Sequence, residues 1–281
     1  MAGMSAAATF HRRLGCSTIS FRHQDLALAL RTIAELGFTE IDLGALPGVC
    51  DHVPFVLDDA AVETVARTVT ASGLCVRSIN CDIGDLNAKL DDDARAHREA
   101  HLDMLVALAA ATGAQALVLP CGALDHAPLE TLTADVERVA AELAAHATAA
   151  ARAGIELWTE SLHLHRLCCD IERAQMLYDR LPDSVGIVMD FSHVVASGGD
   201  PVDFIDRFGA RITHVHIRDA MPGEINLSVG NGRVDFPRGL KHLAAAAYAG
   251  HFSLELETRD ITNEQRPGAA VAAGRFITEL I

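Results

Sequence analysis

The feature that most constrains this chain is an alternation repeated eight times: a short β-branched run followed by a longer Ala/Leu-rich run of helical period. The strand-like runs lie near 14–20, 40–44, 75–80, 116–120, 155–160, 186–190, 212–217 and 252–257. The helical runs lie near 25–36, 58–72, 91–112, 133–153, 171–181, 201–208, 236–247 and 264–280. In the first helix, Leu26, Leu30, Ile33 and Leu36 form one apolar stripe, with Asp25 suited to the first turn. Gly37, Gly73, Gly113, Gly154, Gly209 and Gly250 each follow a helical run and precede a strand, as left-handed C-caps do. Strict alternation implies a parallel sheet with right-handed crossovers. Eight units in 281 residues favour closure into a single (β/α)8 barrel. A doubly wound open sheet would carry a glycine fingerprint after its first strand, and Ser17-Thr18-Ile19-Ser20-Phe21 has none. The expected organisation is a flexible N-terminal tail, 1–13, and a barrel, 14–281.

In such barrels the chemistry sits at the C-terminal ends of the strands. Four runs, IELWTE, VGIVMDFSH, RITHVHIRD and FSLELE, carry Glu160, Asp190, His216 and Glu255 near those ends. One carboxylate at a strand end is more often a cap or an ion-pair partner. Three carboxylates and a histidine on successive units suggest side chains converging on one point. This oxygen-rich set with one imidazole suits Mn²⁺, Mg²⁺ or Co²⁺ better than thiolate-type zinc. Alternation leaves two choices open, because His214 shares a face with His216 and Glu257 shares one with Glu255. Trp158, two residues before Glu160, shares that strand face and could floor a sugar site. His163 and His165 follow in the adjoining loop as candidate substrate contacts. The run Gly230-Asn-Gly-Arg-Val-Asp-Phe236 reads as a flexible turn leading to an Asp235 helix cap.

A formal net charge of −15 repels phosphate backbones and anionic lipid, which argues against nucleic-acid and membrane partners. Seven cysteines, an odd number without a CxxC, point to a reducing compartment. The first nine residues lack a signal peptide's charged flank and long apolar stretch, and no uncharged run approaches a membrane span. The expected location is cytoplasmic.

The segments Gly154–Glu160, Gly186–His193, His214–Asp219 and Gly250–Glu255, in their order and spacing, resemble the xylose isomerase-like TIM barrel superfamily. The likeness is to its sugar phosphate isomerase/epimerase branch, which includes D-tagatose 3-epimerase and inosose dehydratase. The eight-unit organisation extends it over nearly the whole chain. The resemblance implies one metal, Mn²⁺ first, held by Glu160, Asp190, His216 and Glu255, and it selects His216 over His214. It also implies Glu160 and Glu255 as the acid/base pair, with His163, His193 and Arg218 binding substrate oxygens. Homodimeric or homotetrameric assembly is expected on the same ground, as is a small sugar or polyol substrate.

A metal that binds a carbonyl and its neighbouring hydroxyl acidifies the adjacent C–H and favours a cis-enediolate. One carboxylate removes the proton and another returns it. The first reading is therefore a metal-dependent sugar isomerase or epimerase acting on a ketose or keto-polyol. The alternative is a lyase on the same site, an inosose-type dehydratase or a β-eliminating enzyme on an oxidised sugar. An endonuclease IV-like phosphodiesterase would need further histidine ligands after the second to fourth strands and an Asp-x-His after the seventh. Asn80-Cys81-Asp82 and Pro120-Cys121-Gly122 stand at two of those ends, so that class is rejected.

Overall fold

The structure is a computed structural model that describes residues 8–281. Of the expected tail, residues 1–7 lie outside the described residues. The remainder lies along the barrel: Phe10 stacks on Phe38 with ring centroids 4.2 Å apart, and the His11 amide donates to Thr278 Oγ1 at 3.0 Å.

Eight parallel strands make the barrel: β1 (Leu14–Cys16), β2 (Glu40–Ala45), β3 (Cys75–Cys81), β4 (Ala116–Pro120), β5 (Glu156–Glu160), β6 (Val185–Asp190), β7 (Ile212–Ile217) and, after a small hairpin, β10 (His251–Leu254). Their order is β1-β10-β7-β6-β5-β4-β3-β2. The edges β1 and β2 meet at a seam that the Gly44 amide bridges by donating to Thr18 Oγ1, 2.9 Å away. The hairpin pairs β8 (Asp219–Met221) with β9 (Glu224–Leu227) above the barrel mouth.

Helices α1 (Leu26–Leu36), α2 (Asp59–Ser72), α3 (Asp92–Thr112), α4 (Leu132–Ala151), α5 (Ile171–Tyr178), α7 (Pro201–Phe208), α8 (Phe236–Ala245) and α9 (Arg266–Thr278) surround the strands. Six of these eight start at an aspartate cap. Asp25, Asp58, Asp91, Asp170, Asp200 and Asp235 accept from first-turn amides of the helices they precede, satisfying donors that have no intrahelical partner. In α1, Ala29, Leu30 and Ile33 are buried against the barrel, while Leu26 and Leu36 are half-buried beside that core.

Three sequence expectations differ. The first strand stops at Cys16, because Ser17 caps a 3₁₀ turn over Thr18–Phe21. Asp190 starts a further short helix, α6 (Phe191–Ala196), directly off β6. Gly37, Gly73, Gly113 and Gly154 have positive φ, but Gly209 is right-handed at φ −53° and Gly250 is not among the positive-φ glycines. Gly250 is small for another reason, since a Cβ there would lie 2.7 Å from the Thr213 carbonyl oxygen.

Most of the core lies between strands and helices, and a separate patch of Ala116, Val118, Trp158 and Val188 fills the barrel interior. All seven cysteines are free, and only Cys75, at the start of β3, is exposed. Among the described residues no helix is long and apolar enough to cross a membrane.

Candidate active site

Side chains two apart on a strand share a face, so β5 aims Trp158 and Glu160 inward and β7 does the same with His214 and His216. Parallel register then sets the height. Asp190 pairs with His216, Ser253 pairs with His216 on its other side, and the Glu255 amide donates to the Ile217 carbonyl at 3.1 Å. Glu160, Asp190, His216 and Glu255 thus meet at the C-terminal mouth, with one potential ligand atom from each within 4.8 Å of the others. All four are buried.

His216 occupies the middle of this set. Its Nδ1 is 3.4 Å from Glu160 Oε1 and 3.5 Å from Glu255 Oε2. Asp190 Oδ1 accepts from the amide and hydroxyl of Ser192, both at 2.6 Å, which is also how it caps α6. Its Oδ2 is 3.0 Å from Arg218 Nη2, and Asn80 Nδ2 donates to Glu255 Oε1 at 3.0 Å.

The electrostatics suit a cation. Burial pushes the Glu255 carboxyl up to about 7, and the Glu160 and Asp190 charges push the same way against His216 and Arg218. Burial would lower His216, but Glu255, Asp42 and Glu160 outweigh it and hold the imidazole well above its ordinary value. Glu160 Oε1 and His216 Nδ1 are buried without a hydrogen-bond partner, a costly condition in a low-dielectric interior. A divalent ion among these three carboxylates and one imidazole would satisfy both atoms, so the residues fit such an ion.

The predicted contacts gather here with one exception. A cavity of about 240 Å³ opens at the mouth, lined on its polar side by Glu160, His163, His193, Arg218 and Glu255. The His163 ring lies against His193 with centroids 3.8 Å apart, and His193 Nε2 is 3.1 Å from Arg218 Nη2. His165 lines the same cavity from the exposed side. Trp158 does not line it. The indole sits one layer deeper, donates from Nε1 to Glu156 Oε2 at 2.8 Å, and borders a cavity at the opposite end of the barrel. Alternation gives its face correctly, but two residues of strand rise lower it by roughly 7 Å. Gly186 on β6 leaves room for it, since a Cβ there would fall 2.6 Å from Trp158 Cδ1.

The two open choices separate by the same logic. Glu257 lies beyond the cluster, 2.8 Å from Arg22 Nη1 and 3.3 Å from Arg218 Nη1. His214 lies below it, 2.8 Å from Asp42 Oδ2. Asp42 escapes sequence reading because it sits in the middle of β2, among apolar neighbours and away from any strand end.

The xylose isomerase-like TIM barrel model matches residues 30–280. The rhizopine catabolism protein MocC of Rhizobium meliloti is 33% identical over 104 residues, 31% of this chain and 32% of that protein. Inosose dehydratase of Clostridium botulinum is 34% identical over 73 residues, 26% of this chain and 24% of the other. The matched stretches thus span about a third and about a quarter of these relatives. D-psicose 3-epimerase of Clostridium cellulolyticum superposes with a TM-score of 0.77 at 16% identity, covering 95% of this chain and 99% of that one. At that identity the likeness concerns the fold.

Proposed function

The chain belongs to the xylose isomerase-like TIM barrel family, and from that membership we propose a divalent-metal-dependent sugar isomerase or epimerase acting on a ketose or keto-polyol. One observation carries the reading: Glu160, Asp190, His216 and Glu255 converge at the barrel mouth, where Glu160 and Glu255 open onto a cavity of about 240 Å³ that suits a small polyhydroxylated molecule. The partner is a small sugar or polyol, and the assembly expected from the resemblance is a homodimer or homotetramer.

The four residues would hold Mn²⁺, Mg²⁺ or Co²⁺, which supplies Lewis-acid polarisation of a carbonyl and its neighbouring hydroxyl. Glu160 Oε1 and Glu255 Oε2 both lie beside His216 Nδ1, which leaves Glu160 Oε2 and Glu255 Oε1, the latter accepting from Asn80 Nδ2, for proton transfer. Glu160 removes the proton next to the carbonyl and Glu255 returns it, with a cis-enediolate of the substrate between the steps. Burial, and after it the Arg218 charge, hold His193 well below its ordinary value, so it meets a hydroxyl as a neutral imidazole. Arg218 is buried and fixed by Ser192, Asp190 and Glu257, a rigid donor for a developing oxyanion. Proton return to the opposite face epimerises, and return to the neighbouring carbon isomerises.

The stretch shared with inosose dehydratase favours a second reading, a lyase that expels a β-hydroxyl from the same enediolate. Incubating the protein with Mn²⁺ and a panel of ketoses and oxidised inositols in D₂O separates the two by NMR. Deuterium next to the carbonyl with the skeleton retained supports the isomerase, and loss of water supports the lyase. Glu160→Gln should slow either by about 10²–10⁴-fold. No exchange on any compound, with no metal bound, sinks the enediolate chemistry.

A further inference from the structure

We infer that Asp42 is a positioning residue that sets the tautomer and ring orientation of His216 for ligation through Nδ1. The inference rests on the ligand set proposed above. β2 and β7 are not paired, so Asp42 reaches His216 across the barrel interior. Asp42 and both histidines of β7 are fully buried, with 0% of their surface exposed. His216 presents Nδ1 to Glu160 and Glu255, while Nε2 faces Asp42 Oδ2 at 3.5 Å without hydrogen-bonding to it, and is otherwise unpartnered. A neutral imidazole carries one proton. If Nδ1 is the ligand, that proton must sit on Nε2, where a carboxylate faces it.

Asp42 is itself anchored. Ser78 Oγ donates to Oδ1 at 2.8 Å, and His214 Nε2 is 2.8 Å from Oδ2. These two buried partners hold the Asp42 carboxylate in place beneath the His216 ring. Carboxylates placed behind a ligating histidine in this way fix the ring and strengthen the ligand. His214 then serves as the anchor of Asp42 rather than as a ligand.

Two measurements test this. Mn²⁺ titration calorimetry compares wild type with Asp42→Asn, which keeps the shape and removes the charge. The expected loss of affinity is roughly 10–100-fold. Histidine ¹⁵N NMR of the diamagnetic Zn²⁺-loaded protein should show His216 protonated on Nε2, with its N–H signal at low field, and that signal should move upfield or vanish in Asp42→Asn. Mn²⁺ affinity within about twofold of wild type would overturn the inference, as would a wild-type His216 protonated on Nδ1. The wild-type spectrum needs no variant, so the test survives a failure of Asp42→Asn to fold. If wild type binds neither ion, the ligand reading fails separately. A low-field Nε2–H in the metal-free protein would then still support Asp42's hold on His216, and its absence would overturn it.

Discussion

Glu255 shares a buried pocket with two other carboxylates, and its pKa rises from the ordinary 4.5 to about 7. A raised folded-state value means that the protonated form stabilises the fold. That contribution is complete below the unfolded value and is lost as pH climbs through about 7. Glu255→Gln stays neutral throughout, so metal-free Glu255→Gln should be more stable than metal-free wild type at pH 8 by on the order of 1–3 kcal/mol. The gap should close toward pH 5. Urea unfolding in chelator at both values checks this, and equal stability at pH 8 would place Glu255 in a less strained setting. At this scale the sequence is informative wherever a candidate ligand ends a strand, because β-branched runs mark the strand and its end is visible. Glu160, Asp190, His216 and Glu255 all stand so. Asp42 does not, because it sits mid-strand and faces across the barrel interior, and single-strand periodicity carries no information about what faces it there. Trp158 fails for depth alone.

The hairpin β8–β9 and the loop after it make up the least legible element and one of the most tightly held. The turn expected to be flexible is pinned by a single carboxylate. Asp219 Oδ2 accepts from the amides of Gly230 (2.8 Å) and Gly232 (3.0 Å), and Oδ1 accepts from those of Ala220 (2.8 Å) and Val234 (3.1 Å). Asp260 adds a second clasp through Ser228 and Asn231. Gly232 fits because a Cβ would lie 2.2 Å from Asp219 Oδ1. Asp219→Ala leaves four amides without their acceptor and should cost about 3 kcal/mol or more. Hydrogen exchange at Gly230, Gly232 and Val234 should accelerate selectively, whereas unchanged protection would show that the loop is held by other means. The Asp235 cap of α8 follows the sequence reading, with Oδ1 accepting from the Arg238 amide at 3.0 Å. The hairpin had one overlooked signal, Pro222-Gly223 between short extended runs. Helix α6 had none, since Phe191-Ser-His-Val-Val-Ala196 is too short for helical period to register.

For the molecule as a whole, the alternation fixed the architecture because every strand is covered by the helix that follows it, and eight such units leave only a short seam between β1 and β2. Beside the apolar interior patch, polar groups occur at three levels of the barrel. Glu40, Arg77 and His251 interact at the N-terminal end, Asp42 and His214 in the middle, and the four-residue cluster at the mouth. An ion that binds only the folded chain stabilises it by mass action. Mn²⁺ at a hundredfold excess over its dissociation constant should add about 2.7 kcal/mol. The melting temperature should rise by roughly 5–10 °C and fall back with EDTA. Calorimetric scans with and without chelator measure both, and an unmoved midpoint would argue against a folded-state metal site.

The lone exposed thiol has a practical use. Cys75 opens β3 at the end of the barrel away from the mouth, and Cys169 is the only other cysteine not fully buried. A maleimide dye or spin label applied under native conditions would therefore attach first at Cys75, on a rigid strand and remote from the substrate cavity. Such a probe could report tumbling, association between copies and immobilisation on a surface while leaving the chemistry at the mouth undisturbed.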